Sequence, residues 1–129
     1  RNRIKVIARD VAGNVGSFEV EVNVLKELRI YDYGNFPNPF RDRTVFIYEL
    51  SQDVEEITIK VFTVSGRLVK VIDSKVTNPE MSVAGYHEVE WDGRDREGNF
   101  IANGVYFYKI TAKKKGKKVS SQGKIAKVK

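Results

Sequence analysis

Only one side chain in this protein is suited to moving protons near neutral pH, and it belongs to His87. Any Ser-His-Asp arrangement would therefore have to include it. His87 alternates with Val89 and Trp91 in a stretch of strand-like periodicity, and no Gly-x-Ser-x-Gly turn or other nucleophile motif accompanies it. We therefore expect a packed or rim histidine, a buried Trp91, no catalytic residue and no enzymatic activity.

Cofactor chemistry has equally little support in the sequence. The chain contains no cysteine, which excludes disulfides, thiolate zinc sites and cysteine nucleophiles. It also lacks a phosphate loop, a His-Glu-x-x-His pair and a Gly-x-Gly-x-x-Gly run. We expect no cofactor and no cofactor-binding residue.

The best candidate for a metal site is the acidic stretch at residues 91–99. Its oxygen-bearing side chains are Asp92, Asp95, Glu97 and Asn99. These groups suit Ca²⁺, but Arg94 and Arg96 would repel a cation. The Asp-Gly and Glu-Gly-Asn sequences also supply the residues that a long hairpin turn requires. We therefore expect a turn held by local hydrogen bonds and assign no metal ligand, with calcium as the alternative.

Positive charge is concentrated at one end of the chain. The formal net charge is +6, and residues 113–129 contain eight lysines and no acidic residue. The sequence Lys113-Lys114-Lys115-Gly116-Lys117-Lys118 is typical of a solvated hairpin tip. The same tip is a candidate patch for anionic lipopolysaccharide, acidic glycans or phospholipid headgroups. Because this end has no aromatic residue, we expect no nucleic-acid binding.

The length of 129 residues allows one ordinary domain, with room for part of another. No apolar run reaches the roughly 20 residues that a membrane-spanning helix needs, so we expect a protein that does not span a membrane. Residue 1 is Arg rather than Met, and we expect a piece of a longer protein.

Period-two alternation dominates the sequence and predicts strands rather than helices. Residues 2–24 have this pattern on both sides of a turn sequence at residues 10–14, and they predict a β-hairpin. A short strand near Ile30 precedes Phe36-Pro37-Asn38-Pro39-Phe40, where the prolines should interrupt sheet pairing. Six further strands are predicted at residues 44–50, 55–63, 67–76, 86–91, 105–113 and 119–128.

Two of these strands should form the centre of the core, because their apolar residues alternate most regularly. Their inward faces are Ile57, Ile59 and Val61, and Tyr106, Tyr108, Ile110 and Ala112. Seven strands at regular spacing predict an all-β fold, an antiparallel immunoglobulin-like β-sandwich, preceded by the extra β-hairpin.

Four short motifs occur together in one order. They are Phe36-Pro37-Asn38-Pro39-Phe40, Gly66-Arg67-Leu68-Val69, Trp91-Asp92-Gly93 with Asp95 and Gly98, and Gly104-Val105-Tyr106. In residues 36–129 the chain resembles the FlgD-like immunoglobulin module. That module is known from the flagellar hook-capping protein and, in a closely similar form, as the C-terminal sorting domain of proteins exported by the type IX secretion system. We therefore interpret residues 1–25 as the terminal hairpin of a preceding immunoglobulin-like domain, and residues 26–129 as the FlgD-like sandwich.

The resemblance implies a role in protein export. An immunoglobulin-like end followed by this module is similar to the C-terminal region of PorU-type gingipain-related sortases, whose peptidase would lie upstream. It implies a protein secreted through the periplasm and outer membrane to the cell surface, with outer-membrane export machinery proteins as partners. Phe36 in place of the more usual Tyr and a less apolar last strand depart from the sorting pattern.

Two alternatives stay open beside the sorting function. Trp91-Asp92-Gly93 favours the hook-capping branch, in which the module is a purely structural part, as it would be in a surface spacer. A glycan-binding accessory module is the other alternative. It would require an exposed, coplanar set of aromatic rings at Tyr31, Tyr33, Phe36 and Phe40.

The recognition site of a sorting module should be the final hairpin, residues 105–128. It is expected to present an outer strand and the lysine-rich tip. Unpaired backbone groups on an edge strand can bind a partner by strand addition. We therefore expect an export component to pair with this edge, with the tip charges guiding its approach.

Overall fold

A computed structural model describes residues 27–129 in full and, before them, the backbone of residues 4–8 and 18–22. These two early segments are strands β1 (Ile4–Ala8) and β2 (Phe18–Val22). They pair antiparallel with Ile4 opposite Val22 and form a two-stranded sheet. The predicted leading hairpin is thereby confirmed, whereas the turn predicted at residues 10–14 lies outside the described residues.

The seven strands predicted after residue 26 all form. Their bounds are β3 (Ile30–Phe36), β4 (Thr44–Leu50), β5 (Glu56–Thr63), β6 (Leu68–Asp73), β7 (Gly85–Trp91), β8 (Gly104–Lys114) and β9 (Lys117–Lys127). A short 3₁₀ turn at Pro79–Ser82 separates β6 from β7. In the described part of the chain, no helix is both long and apolar enough to cross a membrane.

These strands form two antiparallel sheets. The smaller sheet has the order β3-β4-β7 and the larger the order β6-β5-β8-β9. The predicted central strands, β5 and β8, occupy the middle of the larger sheet and pair directly, with Ile59 opposite Ile110. Both of these side chains are fully buried. The all-β immunoglobulin-like sandwich predicted from the alternation is therefore confirmed.

The core between the sheets is rich in aromatic rings. Trp91 is 2% exposed, and its ring centroid lies 5.6 Å from that of Phe40 and 6.0 Å from that of Phe46. Phe46 in turn lies 5.1 Å from Tyr108 on the opposite sheet. The inward direction predicted for Trp91 is confirmed, since these contacts place the indole at the interface of the two sheets.

The proline-containing segment after β3 joins the two sheets. Ladder pairing of β3 ends at Phe36, as predicted, and the Phe36-Pro37 and Asn38-Pro39 peptide bonds are both cis. The chain then meets the far sheet, because the Phe40 N–H donates to the Ala126 carbonyl and the Val128 N–H donates to the Phe40 carbonyl, both at 2.9 Å. Phe40 is therefore a structural bridge to β9.

Candidate recognition site at the final hairpin

The tip of the final hairpin is a two-residue turn between β8 and β9. Its central residues, Lys115 and Gly116, have φ values of +46° and +79°. Positive φ at both central positions matches the turn twist to that of the flanking strands, and Gly adopts it without steric cost. The register places Lys113 opposite Lys118 and Lys114 opposite Lys117. The lysine-rich hairpin tip predicted from the sequence is confirmed.

The tip lysines differ in their surroundings. Lys114 is half-buried and its Nζ donates to Gln52 Oε1 at 2.7 Å, whereas Lys115 and Lys117 are exposed. Lys113 lies opposite both Lys118 on β9 and Glu56 on β5. Like charges directly opposite each other destabilise a sheet. The tip therefore keeps an excess of positive charge that an anionic partner would neutralise.

The outer edge of β9 is occupied along its second half. The Asn38 side chain donates to the Lys124 carbonyl at 2.9 Å and accepts from the Ala126 N–H at 3.0 Å. The Tyr33 hydroxyl donates to the Gln122 carbonyl at 3.1 Å. The predicted outer strand is therefore open along only part of its edge. The physical reason is that β3 and the segment after it fold against this edge.

The first half of β9 remains open. Backbone groups of alternate residues in an antiparallel strand point to the same edge, so those of Lys118 and Ser120 point the same way as those of Gln122. Within the described residues, no protein group bonds to the outward backbone groups of Lys118 or Ser120. The edge available for strand addition is therefore a short segment next to the tip.

The side chain of His87 is packed, which is one of the two arrangements, packed or at the rim, that the sequence led us to expect. Its ring stacks on Tyr48 with centroids 5.2 Å apart, and Nε2 lies 2.6 Å from the Val83 carbonyl oxygen. Because a carbonyl only accepts hydrogen bonds, Nε2 carries the proton and donates it. The hydrogen bond that orients this ring is therefore a structural contact with the backbone of the loop that precedes β7.

The acidic stretch forms the locally bonded turn that was expected. Asp95 Oδ1 accepts the Glu97 N–H at 2.9 Å and the Asn99 N–H at 3.0 Å. The Arg94 guanidinium lies 4.3 Å above the Phe100 ring. Among the described residues, no three acidic or histidine side chains are grouped as metal ligands. The carboxylate of Asp95 thus holds the turn itself.

The aromatic residues considered for glycan binding do not form one platform. Phe40 is 1% exposed, and the half-buried Tyr31 donates its hydroxyl to Glu49 Oε2 at 3.3 Å. Of these four residues, Tyr33 and Phe36 have exposed rings, at 42% and 75%. The exposed four-ring surface required by that alternative is absent from the described residues.

A shallow cleft lies between the acidic turn and the sheet edge at β6. It encloses about 210 Å³ and is lined by residues that include Arg67, Glu97, Phe100 and Tyr106. Pockets for small-molecule ligands usually enclose about 300–1,000 Å³. This cleft is therefore too small for an ordinary ligand site.

Sequence reasoning missed one residue that shapes the candidate site. Asn38 bonds through both atoms of its side-chain amide to β9 and to Asn35, so that it closes half of the edge. An Asn between two prolines can be recognised in a sequence. Proline has no backbone N–H, so the Asn side chain can supply hydrogen bonds that the neighbouring backbone cannot. Its partner strand lies 86 residues away and was not identifiable from the motif.

Comparisons with known proteins agree with this fold. A family model described as the FlgD Ig-like domain matches residues 41–116. The basal-body rod modification protein FlgD of Salmonella typhimurium is 30% identical over 79 residues, which cover 61% of this chain and 32% of that protein. The chain thus spans about a third of the length of this curated relative.

Two solved structures share the fold. The dimeric latent PorU of Porphyromonas gingivalis matches with a TM-score of 0.68 and 23% identity, over 98% of this chain and 12% of that chain. FlgD from P. aeruginosa matches with a TM-score of 0.54 and 22% identity, over 66% of this chain and 61% of that chain. The match with PorU includes the leading hairpin as well as the sandwich, since it covers nearly the whole chain.

Proposed function

The chain belongs to the FlgD Ig-like domain family, and from that premise we propose that it is a non-catalytic module of a secreted multi-domain protein. In this proposal the module is a sorting and recognition element for type IX secretion and cell-surface attachment. Its partners are proteins of the outer-membrane export machinery.

The observation that carries the proposal is the extent of the fold match with PorU. Both the leading hairpin and the sandwich take part, over 98% of the chain, whereas the match with FlgD from P. aeruginosa covers 66%. The leading hairpin followed directly by the sandwich is the combination of elements that favours PorU-type proteins. A module at the end of a PorU-type protein would be accessible to the export machinery that has to recognise it.

The recognition step is strand addition at the open half of β9. An extended segment of the partner would pair with the outward backbone groups of Lys118 and Ser120, which supply hydrogen bonds without a requirement for particular side chains. The adjacent lysines Lys115 and Lys117 would attract an acidic partner surface or anionic lipopolysaccharide. The sandwich core would hold this edge in place, since Ile125 on the same strand is 1% exposed.

Export of a reporter tests the proposal. Residues 1–129 are fused after a periplasmic reporter in a bacterium with a type IX system and in a strain that lacks it. We expect the reporter at the surface only in the first strain. A Ser120→Pro variant removes one outward N–H and is tolerated on an edge strand, so it should block export and retain the native thermal transition.

The matched control is Ser120→Ala, which keeps the backbone N–H and removes only the hydroxyl that bonds to Thr111. It should be exported like the unmodified module. Truncation of β9 is a poor test because it also removes the buried Ile125. A wild-type fusion that stays in the periplasm, or a folded Ser120→Pro variant that is exported normally, would reject the edge as the sorting signal.

A structural module of the hook-capping type is the second candidate function. It is favoured by the 30% identity with FlgD and by the packing of Trp91-Asp92-Gly93, in which a Cβ at Gly93 would lie 3.1 Å from the Phe40 ring. The Trp91-Asp92-Gly93 motif thus packs against Phe40 in the core. Two results together would replace sorting with this structural function. They are a reporter that stays in the periplasm and a parent protein whose assembly requires the folded module.

A further inference from the structure

The two sheets of the sandwich carry opposite charges on their outer faces. On the smaller sheet, Glu49, Glu88 and Glu90 lie on the outer face, since they alternate with the buried residues of β4 and β7. The register places them opposite Tyr86, Ile47 and Val45. On the larger sheet, the outward positions of β5, β8 and β9 carry five lysines, Lys60, Lys109, Lys113, Lys118 and Lys124, with Glu56 on β5 and Asp73 on β6 as the acids in register with that face. Positive charge is therefore concentrated on one flat face, well beyond the hairpin tip.

The basic face is ordered in rows across the sheet. Lys60, Lys109 and Gln122 lie in one row, and Lys113 and Lys118 lie in another that ends at Glu56. The row between them contains Thr58, Thr111 and Ser120 and ends at Asp73. Directly opposed residues on neighbouring strands have Cβ atoms about 5 Å apart. The two lysine rows are four residues apart along β8, or about 13 Å at the usual rise of a strand. The face thus presents repeated cationic groups separated by hydroxyls.

Two features of this face bear on ligand binding. Lys60 lies directly opposite Lys109, and like charges in that arrangement destabilise a sheet. The described residues place no carboxylate within ion-pair distance of either lysine. The Thr111 and Ser120 hydroxyls bond to each other at 2.9 Å, which holds both on the same exposed row. An anionic ligand would relieve the repulsion between the lysines.

We propose that the outer face of the larger sheet binds a linear acidic polysaccharide. Its carboxylate, phosphate or sulfate groups would lie along the lysine rows, and its sugar hydroxyls would bond to Thr111, Ser120 and Gln122. The proposal does not rest on the export function, because it uses side chains on the sheet face rather than the outward backbone groups at the edge of β9.

The composition of the face selects this ligand over other polyanions. Protein interfaces are depleted of lysine in their centres, so five lysines do not suit an acidic protein. Phe62 and Phe107 on this face are half-buried, so they offer little ring surface on which the bases of a single-stranded nucleic acid could stack. A polysaccharide needs neither an apolar centre nor stacking. It also matches the flexible, strongly hydrated charge of lysine.

Binding of the 129-residue chain to polygalacturonate, measured by titration calorimetry at low and moderate salt, tests the proposal. The face variant combines Lys60→Gln and Lys109→Gln, and a second face variant combines Lys113→Gln and Lys118→Gln. The control combines Arg29→Gln and Arg41→Gln, which removes the same charge from exposed positions next to β3. Neutral dextran serves as the uncharged probe.

We expect each face variant to bind at least tenfold more weakly than the wild type, and the control less than threefold. The dependence of log K on log salt should become shallower with each lysine removed, because fewer counterions are released; for nucleic acids this change is roughly 0.7–0.9 per phosphate contact. Circular dichroism should show unchanged folding, because all the replaced side chains are exposed.

Four outcomes would overturn the proposal. They are no binding of the wild type at low salt, equal losses in the face and control variants, binding of dextran as tight as that of polygalacturonate, and tighter binding to anionic phospholipid vesicles or single-stranded DNA. Equal losses would mean that only net charge matters. Tighter binding to vesicles or DNA would assign the face to a membrane or to nucleic acid.

Discussion

Gly123 leaves room for the ring of Tyr108, which lies directly opposite it on the neighbouring strand. A Cβ placed on Gly123 would lie 2.6 Å from the Cζ atom and the hydroxyl oxygen of Tyr108. Tyr108 is 3% exposed and packs on Phe46 of the other sheet, so its ring has little space to move. This one pair therefore connects the last strand to the centre of the core.

Gly123→Ala should lower the free energy of unfolding by about 1–3 kcal/mol, the usual cost of forcing extra volume into a packed site. Urea unfolding followed by tryptophan fluorescence measures this change. The control is Gly34→Ala, whose added Cβ would lie 3.9 Å from Ile47, an ordinary contact distance. Equal stability of the two variants would contradict the close packing of Tyr108 on Gly123.

Trp91→Ala should lower the free energy of unfolding by about 3–5 kcal/mol, because it opens a large cavity between Phe40 and Phe46. It also removes the indole donor of the 2.9 Å hydrogen bond to the Arg94 carbonyl. Urea unfolding followed by far-ultraviolet circular dichroism measures the loss. Tyr86→Ala, at a side chain that is 55% exposed, should be nearly neutral. Fluorescence of a water-exposed indole in the wild type would show this assignment to be wrong.

Stability should decrease in alkaline solution because of Tyr48. Burial raises the pKa of this phenol, which donates to the Met81 carbonyl at 2.7 Å. Above the usual tyrosine pKa of about 10, the unfolded chain releases the proton while the folded chain retains it. The free energy of unfolding should then fall by about 1.4 kcal/mol per pH unit for this proton, starting near pH 10.

Tyr48→Phe should make this alkaline decrease less steep, as measured by urea unfolding at a series of pH values. Tyr106 and Tyr108 will preserve part of it, because burial raises the pKa of both phenols. A slope that persists in full in Tyr48→Phe would contradict the contribution of Tyr48.

Deletion of residues 1–25 should leave a cooperatively folded sandwich. Strands β1 and β2 pair only with each other among the described strands, so their removal takes no ladder hydrogen bond from β3–β9. Calorimetry should show one transition for the shortened chain, at a midpoint close to that of the full chain. Loss of a cooperative transition would mean that the hairpin contributes to the sandwich core.

The strand assignments could be predicted from the sequence because alternation is a local property. In β4 the buried and half-buried residues alternate without exception from Thr44 to Leu50. The same pattern correctly predicted that Trp91 points inward. A glycine between lysines, Gly116, was sufficient to predict the hairpin tip. These features depend on neighbours within a few residues, for which side-chain direction and turn chemistry are decisive.

The state of the β9 edge depended on tertiary structure. Asn38 and Phe40 bond to Lys124 and Ala126, and no local pattern specifies which strand a segment after two prolines will meet. Phe40, which the glycan-binding alternative required to be exposed, is buried because this contact places it beside Trp91.

The charge distribution was also decided by folding. The sequence concentrates lysine after residue 112, which by itself suggests a basic tail. Strand order brings Lys60 of β5 beside Lys109 of β8, and the register aligns Lys113 with Lys118. Alternation determined which face each lysine occupies, but the pairing of distant strands determined that they share one surface. A basic face therefore exists only after the long-range contacts of the sheet have formed.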